Sequence, residues 1–205
     1  DRLLDLLKKL RAAGIELKDI DFGGGVGVCY RDETVEPIEN LVLGLKSRLT
    51  QSGFDHLRIV MEPGRSIVAA AGLLLCSVQY VKTTPVKHFL ITDAGMNDLI
   101  RPALYAAWMP VLPIRQSDCP EVLFDVVGPV CESSDWLARD RVLPAQAGEL
   151  LAVTMAGAYG MSMASRYNSR RLPAEVLVSG KTSQLIRRRD SLEDLWTNEI
   201  VPADI

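Results

Sequence analysis

The sequence predicts an α/β segment followed by a mostly antiparallel β domain. The first part reads as the C-terminal strands and helices of a (β/α)8 barrel. Three observations predict this. Helix-period and strand-like stretches alternate through the first third of the chain. Two successive strands there each run into a glycine-containing loop on the same edge of a parallel sheet, the active-site edge of such a barrel. From about residue 73 the apolar stretches become short runs bounded by Gly, Pro or Asp. The expected domains are therefore residues 1–72, an incomplete barrel part, and residues 73–205, a β domain.

Taken in order, Leu3, Leu7 and Leu10 recur at helical spacing with Lys8, Lys9 and Arg11 on other faces, and Gly14 ends that helix. Ile20-Asp21-Phe22 reads as a short strand entering Gly23-Gly24-Gly25. Ile38, Leu41, Val42, Leu45 and Leu49 form the next helical stripe. After Gly53, Leu57 to Met61 reads as a strand entering Glu62-Pro63-Gly64-Arg65. Leu73 to Val81, Val86 to Thr92, Val122 to Val127 and Leu150 to Thr154 read as strands. Glu175 to Val178 and Ser183 to Ile186 flank Ser179-Gly180-Lys181-Thr182 as a hairpin. A barrel needs about eight strand–helix units, and only about two are present. The chain also begins at Asp1 rather than Met, so it reads as the C-terminal portion of a longer protein.

Apolar content of 48% and charged content of 24% are those of a soluble globular protein. A net charge of −3 gives no basic field, which argues against nucleic acid as a partner. Arg187-Arg188-Arg189, the one basic run, is followed by Glu193 and Asp194 and reads as a solvated face. Cysteines 29, 76, 119 and 131 form no Cys-x-x-Cys pair, and only His56 and His88 accompany them, so no metal site is expected. That cysteine usage fits a cytoplasmic setting. The longest apolar run, Ile67 to Cys76, is too short to span a bilayer.

Five segments could carry chemistry. Gly23-Gly24-Gly25-Val26-Gly27 reads either as a flexible loop or as a nest of amides that receives an anion. Glu62-Pro63-Gly64-Arg65 offers a carboxylate, a close-approach glycine and a guanidinium at a strand end. Asp93-Ala94-Gly95-Met96-Asn97-Asp98 leads to Arg101 and Tyr105, four apart on a helix opened by Pro102. They could bind a carboxylate together or form an ordinary surface pair. Gly128-Pro129-Val130-Cys131-Glu132-Ser133-Ser134-Asp135 sets a thiol beside a carboxylate where a strand hands over to a loop. Gly157-Ala158-Tyr159-Gly160-Met161 places a phenol between two glycines.

The order and spacing of these five motifs resemble those of the diaminopimelate decarboxylases, within the fold-type III, pyridoxal-phosphate-dependent amino-acid decarboxylases. The resemblance runs over nearly the whole chain, to Ser191-Leu192-Glu193-Asp194-Leu195. It implies pyridoxal 5'-phosphate as cofactor, with Gly25, Gly64 and Arg65 on its phosphate and Glu62 facing the pyridine nitrogen. It further implies that Arg65, Arg101 and Tyr105 contact substrate and that Tyr159 reaches both cofactor and substrate. Cys131 would reprotonate the α-carbon, a role suited to a thiol that is mostly protonated near neutrality. Glu132 would bind the distal amine, and both would cross a homodimer interface. Glu132-Ser133 stands where ornithine decarboxylases usually have Asp-Gly. With Arg101 available for a distal carboxylate, this favours meso-2,6-diaminopimelate as substrate, giving L-lysine and carbon dioxide.

The sequence departs from that family in several places. Lysines 8, 9, 18, 46, 82, 87 and 181 all fall outside the Schiff-base motif, and the ring-stacking histidine is missing too, so the isolated chain is expected to be inactive. Met109 follows Trp108 where histidine is frequent; Arg166 and Arg171 replace a common asparagine and proline. The competing readings are a noncatalytic, partner-binding homologue and a decarboxylase of another basic amino acid such as ornithine or arginine.

Overall fold

The computed structural model describes residues 2–116 and 118–203. The chain divides into two compact units, Asp1–Ala69 and Ala70–Ile205.

In the first unit, helix α1 (Arg2–Ala12) leads to strand β1 (Asp19–Asp21), helix α2 (Ile38–Gln51), strand β2 (Arg58–Val60) and the short helix α3 (Gly64–Val68). Gly14 closes α1 in the left-handed conformation at φ +76°, and the Ile15 amide turns back to the Leu10 carbonyl at 3.0 Å. Gly53 and the Phe54 amide close α2 in the same manner. Strands β1 and β2 pair in parallel, as their shared loop edge predicts, with Ile20 opposite Ile59. Leu7, Ile20, Leu49, Phe54 and Leu57 form the core of this unit. Arg11 stacks its guanidinium on the Phe54 ring at 4.5 Å. The predicted α2 stripe is only partly covered: Leu49 is buried, whereas Ile38 and Leu41 remain exposed.

The second unit is built on a six-stranded sheet in the order β5-β8-β3-β4-β6-β7. These are β3 (Leu74–Thr83), β4 (His88–Thr92), β5 (Val111–Pro113), β6 (Val122–Val127), β7 (Trp136–Leu143) and β8 (Leu150–Val153). Helix α4 (Arg101–Tyr105) lies between β4 and β5 in sequence, and β9 (Glu175–Ser179) pairs with β10 (Thr182–Arg187) as a separate hairpin. All sheet neighbours are antiparallel except β4 and β6, which run parallel. Leu90, Val126, Leu137, Leu151 and Val153 are fully buried, each from a strand. The mixed sheet agrees with the expected β domain, while the first unit supplies two parallel strands rather than a full barrel.

Strands β5 and β7 are absent from the sequence reading. β5 is three residues long and ends in proline. β7 carries Arg139-Asp140-Arg141 in its interior, which breaks apolar alternation. The structure accommodates that run by a bulge: Asp140 takes φ +53° and its amide donates to Asp125 Oδ1 at 2.9 Å.

Candidate functional site

The sequence-predicted residues form two groups, one on each unit. In the first unit the Glu62 amide donates to the Gly23 carbonyl at 2.8 Å, so the two strand-end loops are bonded directly. Gly23 and Gly25 both have positive φ, +68° and +83°. A Cβ at Gly24 would sit 2.4 Å from the Glu62 carbonyl oxygen. This close approach explains why glycine is needed there. Gly25, Glu62, Gly64 and Arg65 are all exposed on these joined loops. A turn of glycines with exposed main chain beside a carboxylate and a guanidinium fits an anionic cofactor with a basic ring nitrogen.

In the second unit Cys131 and Glu132 occupy the exposed turn after β6. Asp135 holds that turn from below. Its Oδ2 accepts the Val130 amide and its Oδ1 accepts the Met96 amide, each at 2.6 Å. The Gly128 amide closes the base by donating to the Asp135 carbonyl at 3.1 Å. Side chains are excluded around this carboxylate: a Cβ at Gly95 or Gly128 would lie 2.7 or 2.5 Å from its oxygens. Burial pushes the Asp135 carboxyl above its ordinary value, against the two amides that favour its charged form. A cleft of about 460 Å³ opens beside the turn, lined in part by Val130, Glu132, Asp135, Trp136 and Arg139.

The 93–98 loop to which Asp135 bonds is itself fixed. Asp93 accepts the Ser77 amide and hydroxyl, both at 2.8 Å, and Asp98 Oδ2 accepts the Gly95 amide at 2.9 Å. Arg170 reaches in from the far end of the unit. Its Nε donates to Asn97 Oδ1 at 2.9 Å and its Nη2 to the Asp93 carbonyl at 2.6 Å, with Asp98 3.8 Å away.

Arg101 and Tyr105 do not share an environment. Arg101 is 8% exposed, lies 5.9 Å from the Tyr159 ring centroid and points Nη1 at the Met109 sulfur, 3.7 Å away. Tyr105 ends α4 and is largely exposed. Tyr159 takes φ +59° in a loop where a Cβ at Gly160 would meet the Ala156 carbonyl at 2.3 Å. The Tyr159 side chain is half-exposed. Glu132 is met by a residue outside the five motifs: the Tyr167 hydroxyl donates to its Oε2 at 2.5 Å.

The family model described as "Pyridoxal-dependent decarboxylase, C-terminal sheet domain" matches residues 20–157. The chain belongs to this family. It is 48% identical over 200 residues to a diaminopimelate decarboxylase of Haemophilus influenzae, covering 97% of this chain and 48% of that protein. It is 50% identical over 199 residues to one of Pseudomonas fluorescens, covering 97% and 47%. A solved diaminopimelate decarboxylase of Helicobacter pylori complexed with L-lysine superposes with a TM-score of 0.88 at 44% identity, over 96% of this chain and 48% of that one. The chain thus spans about half the length of the curated relatives it matches.

Two departures noted in the sequence acquire partners in the structure. Arg166 Nε pairs with Asp190 Oδ2 at 2.8 Å. Met109 takes the Arg101 guanidinium at its sulfur, 3.7 Å away, and the Arg141 guanidinium at its carbonyl, 3.4 Å away. Sequence reasoning left Asp135, Arg170 and Tyr167 without roles. Asp135 was visible as the last member of the cysteine motif; Tyr167 and Arg170 carry no local signal, because their partners lie 35 and 73 positions away. Among the described residues no three His, Cys, Asp or Glu side chains gather to hold a metal, and no helix is long and apolar enough to cross a membrane.

Proposed function

We propose that this chain supplies part of the active site of a pyridoxal 5'-phosphate-dependent carboxy-lyase that converts meso-2,6-diaminopimelate to L-lysine and carbon dioxide. The observation that carries the reading is the Cys131–Glu132 turn. It presents a thiol and a carboxylate side by side in the open, on a base fixed by the buried Asp135.

When bound, the cofactor supplies an electron sink for the carbon that loses carbon dioxide. The chain's own residues do the rest. Gly25, Gly64 and Arg65 would hold the phosphate, and Glu62 would face the ring nitrogen and favour its protonated form. Tyr159 would contact cofactor and substrate, and Arg65 would also contact substrate. Arg101, beside Met109 and Tyr159, would take the distal carboxylate, and Tyr105 would contact substrate from the exposed end of α4. Glu132 takes the distal ammonium. Cys131 gives its S–H proton to the α-carbon after carbon dioxide has left. The distal carboxylate requirement favours diaminopimelate over ornithine, which carries only an amine there. In this reading residues 1–72 belong to the barrel and residues 73–205 to the β domain. Cys131 and Glu132 serve the partner of a homodimer. The four cysteines, with no Cys-x-x-Cys pair, suit the cytoplasm.

The test is carbon dioxide release from meso-2,6-diaminopimelate by the complete encoded protein loaded with pyridoxal phosphate. Cys131→Ala is expected to lower kcat by about 10²–10⁴ while leaving the fold intact. A wild-type protein that releases no carbon dioxide from diaminopimelate overturns the reading.

A further inference from the structure

The Tyr167 hydroxyl donates to Glu132 from outside the cysteine motif. Both residues are exposed, and exposed polar pairs usually contribute little, because two mobile side chains must be ordered to make them. Here both backbones are ordered in advance by one platform, the 93–98 loop. On one side, Asp135 bonds Met96 of that loop and carries the turn on which Glu132 sits. On the other, the Ser165 amide donates to the Asn97 carbonyl at 2.9 Å, and Arg170 bonds Asn97 and Asp93. Tyr167 lies between those two anchors.

The backbone of that span is unusual. Asn168 and Ser169 are consecutive non-glycine residues with φ of +59° and +55°, a region that L-residues rarely occupy. The arrangement persists because anchors on both sides over-determine it, and it turns the Tyr167 ring toward Glu132. The hydrogen bond and charge of Glu132 also push the Tyr167 phenol above its ordinary value, as expected for a phenol that donates to an ionised carboxylate.

We propose that Tyr167 is the positioning residue of Glu132, holding Oε2 so that the remaining carboxylate oxygen is set for the distal ammonium of the ligand. This rests on the reading of Glu132 as the amine anchor. Tyr167 therefore sets selectivity for ligands with a distal amine and takes no part in proton transfer at the α-carbon.

The test uses the complete protein loaded with pyridoxal phosphate and two probes, L-lysine and L-norleucine, which differ in the distal amine. Calorimetry on Tyr167→Phe is expected to show L-lysine binding weakened about three- to tenfold, the net worth of one ordinary hydrogen bond at an exposed pair, with L-norleucine within about twofold. In a Glu132→Gln background, Tyr167→Phe is expected to add nothing further. For diaminopimelate, KM is expected to rise while kcat holds. Equal weakening of both probes, or multiplicative effects of the two substitutions, overturns the proposal, as does unchanged lysine binding. The underlying reading fails separately. A wild type that prefers lysine through Glu132 and Tyr167 but releases no carbon dioxide from diaminopimelate supports the pairing and sinks the assigned reaction.

Discussion

The Asp135 carboxylate accepts the Met96 amide at 2.6 Å, which pins the Cys131 turn to the loop that follows β4. Its second oxygen takes the Val130 amide at the same distance. Asp135→Ala therefore leaves two main-chain donors without an acceptor in a site only 5% exposed. We expect unfolding free energy to fall by about 2–4 kcal/mol in urea titration, the cost of two buried unsatisfied donors. Asp135→Asn, with one acceptor oxygen left, should recover less than half of that. A loss below about 1 kcal/mol in the alanine variant would show that water replaces the carboxylate freely.

Two glycines of the first unit should respond in opposite ways to the same substitution. At Gly24 a Cβ meets the Glu62 main-chain oxygen at 2.4 Å, and neither strand end can yield without breaking the Glu62–Gly23 bond. Gly24→Ala should cost about 1–3 kcal/mol. At Gly64 a Cβ meets nothing within 4 Å, and φ is not in the left-handed region. Gly64→Ala should leave thermal stability within about 1 kcal/mol of wild type, or raise it, since alanine favours the helix it opens. If Gly64 approaches the cofactor phosphate as proposed, pyridoxal affinity falls in this variant without a matching loss of stability. Thermal melts and pyridoxal absorbance measured on both variants check this.

What the sequence made legible follows the range of each signal. The glycine-ended strands, the β9–β10 hairpin and the exposed Cys131 turn depend on residues within a few positions, and all were readable. Strand β7 was not, because Arg139-Asp140-Arg141 hides its period and the bulge that tolerates it depends on Asp125 of another strand. Arg101 and Tyr105 satisfied the four-residue spacing, yet α4 is only five residues long, and the two side chains at its ends meet different surroundings. Tyr167 was invisible for a third reason: it sits in a one-turn element with irregular backbone and acts on a residue 35 positions earlier.

The last ion pair gives a pH prediction with a definite sign. Arg188 grips Asp194 through both carboxylate oxygens, at 2.5 and 2.9 Å, and the Ser191 amide adds a third donor at 2.7 Å. These hold the Asp194 carboxyl well below its ordinary 3.8. A carboxyl lowered in the folded state contributes stability above its unfolded value, and that contribution is lost as pH falls through the folded value. A carbon-detected NMR titration should therefore place the native Asp194 midpoint under 3.8. Arg188→Gln should move it upward. A native midpoint at or above 3.8 contradicts the assignment.

The two strand-end loops of the first unit are joined by a main-chain hydrogen bond and by the close approach at Gly24, neither of which depends on an ionisable group. The Cys131 turn is held instead by a carboxylate whose proton affinity burial has raised. Acid therefore acts unequally on this chain. Once Asp135 gains a proton, it can no longer accept both amides as an anion, and the thiol loses its fixed base while the glycine loops keep theirs. In the proposed active site, acid that protonates Asp135 would loosen the turn that carries the thiol and leave the glycine loops joined.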